Sequence, residues 1–172
     1  FLAMKFVLTK EHPVASTAIM YGAGHGGFEA LYIMGIGMVS NIVLALMMNL
    51  GQSQLLYAGM DEATSAILTS QLTALCETAP YMFLVGVLER VFAITAHIAM
   101  SIFMWKGVTK RKVLFVILPI VMHFILDFVT VIVNNYFGIT RTEIVVCVIA
   151  MAMILLAKKV YCMDRNAEAI EN

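Results

Sequence analysis

Three stretches of this chain, Tyr81–Trp105, Val113–Val133 and Ile144–Val160, are each long and apolar enough to cross a lipid bilayer as a single helix. A hydrocarbon core about 30 Å thick takes roughly 20 residues of helix. No water is available there, so every backbone N–H and C=O must be satisfied internally. A fourth stretch, Val14–Asn49, is also mostly apolar. As one straight helix it would be about 54 Å long, more than a crossing needs. The run Gly22-Ala23-Gly24-His25-Gly26-Gly27 inside it predicts either a break or a place where another backbone approaches closely. The expectation is an all-α, polytopic transmembrane helix bundle with about four spans. Residues 1–172 would then form a single membrane domain, with spans near 14–49, 81–105, 113–133 and 144–160 and an outer loop over 51–80. Residues Asp61–Leu75 in that loop open on two acids and read either as a short surface helix or as a plain connector.

Composition agrees with this reading. The chain is 62% hydrophobic and 13% charged, against roughly 45–50% and 25% in soluble domains. Its net charge is zero and it has no basic stripe, which argues against a nucleic-acid partner and for the lipid bilayer as its surroundings. Cys76, Cys147 and Cys162 are widely spaced with no CxxC pair and read as apolar filler, and the 14 methionines as adaptable packing. A thioether metal site would need several methionines near the histidines. Phe1–Leu8 lacks the basic start and small-residue cleavage site of a signal peptide. It reads as the tail of an earlier span in a chain that lacks an upstream segment.

The few charges are informative by position. Lys106, Lys110, Arg111 and Lys112 join the second and third spans, and Lys158, Lys159 and Arg165 follow the last. Both sites are then cytoplasmic by the positive-inside rule, which also places the C-terminus there. Lys5 and Lys10 precede the first span, whereas the outer connections carry one basic residue, Arg141.

Ionisable side chains within spans cost at least about 2.5–3.5 kcal/mol each, so they normally face a cavity, a partner or a functional centre. Here they are His25, Glu29, Glu89, Arg90, His97, His123 and Asp127. The pairs His25/Glu29 and His123/Asp127 are four apart and share a helix face. Counting inward from the basic ends places His25, His97 and His123 at depths of ~18, ~12 and ~16 Å. Glu29, Glu89 and Asp127 form a second layer at ~24, ~24 and ~22 Å. Three helices thus each contribute an imidazole and, further out, a carboxylate. Neutral histidines bind zinc, and a buried carboxylate can take a proton from water. Arg90 either pairs with an acid or stabilises a developing oxyanion.

Two other classes use the same residue types. Intramembrane histidines and acids also build proton relays in transporters, although no internal repeat of the kind carriers show is visible. A buried polar network can fix helix packing without chemistry. His12, beside Pro13, reads as interfacial, and Asn134 and Asn135 as a helix end.

The string Gly24-His25-Gly26-Gly27-Phe28-Glu29-Ala30, then Glu89-Arg90 with His97-Ile98, then His123 and Asp127, resembles the YhfC-type family of intramembrane metalloproteases. That family is distantly similar to the CAAX-protease and bacteriocin-processing group. The resemblance covers about Lys10–Val133. It implies a bacterial cytoplasmic membrane, further helices upstream of Phe1, and a peptide or membrane-protein substrate. It also implies a site of Glu29, Glu89, Arg90 and Asp127 as catalytic residues, with His25, His97 and His123 holding a metal such as zinc. The double-glutamate motif of the CAAX group is replaced by His25 and Glu29, and HExxH is absent. Metal-dependent and purely glutamate-dependent hydrolysis therefore both stay open at this point, as does the choice of Glu29 or Glu89 as base.

Overall fold

The computed structural model describes the backbone of residues 1–171 and the side chains of residues 1–163. Arg165, one of the basic residues that orient the last span, lies outside the described side chains. Among the described residues all regular structure is helical. Four helices are long and apolar enough to cross a membrane: α1 (Ser16–Asn49), α3 (Pro80–Thr109), α4 (Val113–Phe137) and the Ile139–Met163 part of α5 (Ile139–Glu171). A fifth, α2 (Glu62–Glu77), lies between α1 and α3. The chain is thus an all-α polytopic membrane protein, and many large apolar side chains, such as Ile117 on α4, are left exposed along its helices.

The glycine run does not break α1. Helix continues through it, and the only irregularity is a π turn at Leu31–Gly35. α1 ends where Gly51 takes a φ of +70° and the Gln52 N–H reaches back to the Met47 carbonyl. This is the left-handed closure that glycine adopts most cheaply. α4 and α5 are separated by Gly138, again at positive φ.

Residues divide into two compact units. The first holds Phe1–Phe28 and the chain from Val87 onward. Its core joins Met4 and Ala18 to Ala96, Ala99, Phe103 and Trp105 of α3 and to α5. Among the described residues of α5 the buried apolar positions are Val146, Ala150, Met153 and Ala157, spaced four, three and four apart, so one stripe faces inward. Its alanines are fully buried, because small residues let helix backbones approach where no hydrophobic effect drives them together. The second unit, Glu29–Gly86, contains the remainder of α1, the short helix Ser53–Tyr57, α2 and the start of α3. Asp61 caps α2 by accepting a 2.7 Å hydrogen bond from the Thr64 N–H. Tyr57 and Thr69 hydroxyls, 3.3 Å apart, tie the short helix to α2.

Candidate functional site

Two glycines set the geometry of the first unit. Gly22 and Gly26 are four apart on one face of α1, and a Cβ on Gly22 would stand 2.6 Å from the Ile98 Cα. One on Gly26 would stand 3.0 Å from the His97 Cβ. Only glycine allows the α1 and α3 backbones to lie this close. His97 is therefore buried against α1 with 6% of its surface exposed. Its ring meets that of His25 edge-on at 5.1 Å between centroids, and that of His123 on α4 edge-on at 5.3 Å. Tyr21, one turn before His25, stacks on it at 6.0 Å with the planes 7° apart.

His123 is held by its own helix. Its Nδ1 donates to Oδ2 of Asp127, one turn on, at 2.8 Å. That bond fixes the ring and leaves Nε2 free to act as a ligand. The side chains of His123 and Asp127 are 42% and 65% exposed, so the histidine cluster opens to the surface of the molecule. It borders a cavity of about 580 Å³ that Tyr21, His25, His97, Ser101, His123 and Asp127 help to line. Met4, Met100 and Met104 supply part of its apolar wall.

Glu29 follows His25 by four residues on the same unbroken helix and shares its face. Glu89 and Arg90 pair with each other, and they precede His97 by about two helical turns on α3. Arg90 thus neutralises Glu89. His12 offers only its backbone carbonyl, which accepts a 2.8 Å bond from the Thr17 hydroxyl. The Asn134 carbonyl receives the Gly138 N–H where α4 ends.

Two residues of the cavity wall, Tyr21 and Ser101, and the buried Glu143 of α5 are not singled out by the sequence reading. Tyr21 and Ser101 lie one turn from His25 and His97 respectively, a spacing that could have flagged them. Glu143 sits in the first turn of α5, is 9% exposed, and its Oε2 has no hydrogen-bond partner. The charges of Glu89 and Arg90 both act on it. Its position just outside the apolar run, next to Thr142, reads as loop, and only the packing of α5 buries it.

Residues 1–151 match the family described as YhfC intramembrane metalloprotease. Over 168 residues, 94% of the chain, the sequence is 33% identical to the "Uncharacterized membrane protein YhfC" of Bacillus subtilis (strain 168). The match spans 63% of that relative's length. No solved structure matches. The chain belongs to the YhfC intramembrane metalloprotease family.

Proposed function

We propose that this chain carries the hydrolytic site of an intramembrane protease that cleaves peptide bonds in or near the bilayer of the cell membrane. The observation that carries the reading is the convergence of His25, His97 and His123 from three helices, with His123 oriented by Asp127. This donor set suits zinc: imidazoles are its preferred nitrogen ligands, and a carboxylate behind one of them is the usual outer support. Glu29, one turn from His25 on the same helix, serves as the base. When bound, a zinc ion supplies Lewis acidity toward water and a scissile carbonyl.

The chain's own residues do the rest. His25, His97 and His123 would hold the ion, and Asp127 keeps the His123 ring in place. Glu29 takes a proton from the attacking water and passes it to the leaving amine. Glu89 is engaged by Arg90, so Glu29 is the better base of the two. The Glu89/Arg90 pair serves as a fixed dipole beside Glu143. The exposed faces of His123 and Asp127 give water and an unfolded segment a way in.

Elemental analysis of the purified full-length protein tests this. Near-stoichiometric zinc is expected in wild type, lost in His97→Ala and kept in Glu29→Gln, with cleavage of a membrane substrate abolished in both. Absence of metal from all three would remove the metal-dependent reading. Intact cleavage in Glu29→Gln would remove Glu29 as base.

A further inference from the structure

A second cavity, of about 740 Å³, lies away from the histidines, where the start of the chain meets the turn between α3 and α4. Its walls include Phe1, Val113 and Val116, and its polar lining is Lys5, Arg111, Thr9 and Thr109. Both threonine hydroxyls already donate to backbone carbonyls, of Lys5 and Trp105, at 3.0 and 2.9 Å. The free donors are therefore the Lys5 ammonium and the Arg111 guanidinium. Lys5 lies over the rings of Phe1 and Phe6, at 5.4 and 5.2 Å. Among the described residues no carboxylate is in ion-pair reach of either cation. Two cations beside apolar walls, next to a turn between two spans, form an anion site at the membrane surface.

The backbone of Arg111 points the same way. It has a φ of +51°, and the Lys112 N–H bonds the Gly107 carbonyl at 3.0 Å. Arg111 thus occupies the left-handed position of a helix-closing turn, where glycine is preferred. Gly51 fills the equivalent position after α1, and every other described residue with positive φ is glycine. A cation favours the C-terminal end of a helix dipole, but Lys110 and Lys112 already supply that without backbone strain. Non-glycine residues in such conformations persist where the side chain has a task. The turn itself is rigid: a Cβ on Gly107 would stand 2.7 Å from the Val116 side chain.

We propose that Lys5 and Arg111 bind a phosphate group in this cavity, supplied by the headgroup of an anionic phospholipid. The site is independent of the histidine cluster and does not depend on protease activity. The test is retention of phosphatidylglycerol against phosphatidylcholine by full-length protein in mixed-lipid nanodiscs, read by native mass spectrometry. A parallel arm measures the thermal stability of delipidated protein with inorganic phosphate.

Wild type should retain the anionic lipid preferentially, and Lys5→Gln and Arg111→Gly should each lower that preference about five-fold. Arg111→Gly removes the cation while suiting the left-handed backbone, so its melting temperature should be unchanged or raised. Loss of retention there reports binding and not misfolding. Stabilisation by inorganic phosphate, lost in both variants, with no lipid preference would keep the site and assign it to a soluble phosphate. Equal retention of both lipids with no phosphate effect, or full retention by Arg111→Gly, overturns the proposal.

Discussion

In the proposed site Asp127 acts through His123. The 2.8 Å bond between them fixes one ring of the three, and such outer partners typically account for a 10–100-fold factor in metal affinity. Asp127→Asn is therefore expected to weaken zinc binding by about that factor while leaving the protein folded, which competition against a chelator of known affinity would measure. The i,i+4 spacing made this pair readable in advance, because helix geometry alone brings the two side chains to one face. The contacts of His97 with His25 and His123 were not readable, since they depend on which faces α1, α3 and α4 present to one another. Glu143 lay still further from view, because only tertiary packing buries it. At the other extreme, Asp61 is fully exposed and its carboxyl is held below the usual carboxylate value by the Thr64 N–H and hydroxyl. A group whose folded pKa is lowered stabilises above its unfolded value and loses that contribution as pH falls through the folded one. The protection factor of the Thr64 amide is thus expected to fall as pH drops through the lowered folded value of Asp61, while Asp61→Asn removes that pH dependence.

The glycine run of α1 shows how an element's surface is used. Gly22 and Gly26 touch α3, whereas a Cβ on Gly24 or Gly27 would meet nothing within 4 Å. Gly22→Ala should destabilise by about 1–3 kcal/mol, because rigid backbone stands where the methyl must go. Gly24→Ala should be neutral or stabilising by up to about 1 kcal/mol, since alanine is the better helix former. Thermal unfolding in detergent separates the two, and equal effects would contradict the close approach of α1 and α3. The sequence offered a break or a close approach at this run, and the helix runs straight through it. At over 30 residues, α1 is also longer than a perpendicular crossing requires, so it is tilted or projects beyond the hydrocarbon.

For the molecule as a whole, the positive-inside rule predicts that the basic residues of the α3–α4 turn and of the end of α5 share one side of the membrane, with α2 on the other. Cys76, exposed at the end of α2, should react with an impermeant maleimide in intact cells. A cysteine placed by Lys110→Cys should react only after the membrane is opened, and the reverse pattern would invert the topology. The class of fold and the number of spans are set by the sequence directly, because a bilayer leaves apolar segments of this length one way to satisfy their backbones. The family is equally plain from the GHGGFEA string and its companion motifs. The tertiary structure decided which ionisable side chains meet. Lipid-compatible helices carry no hydrophobic signal for their mutual faces, so the partners of His97 and the burial of Glu143 follow from how the helices pack, with Gly22 and Gly26 setting the approach at His97. Periodicity along a single helix does not encode such contacts.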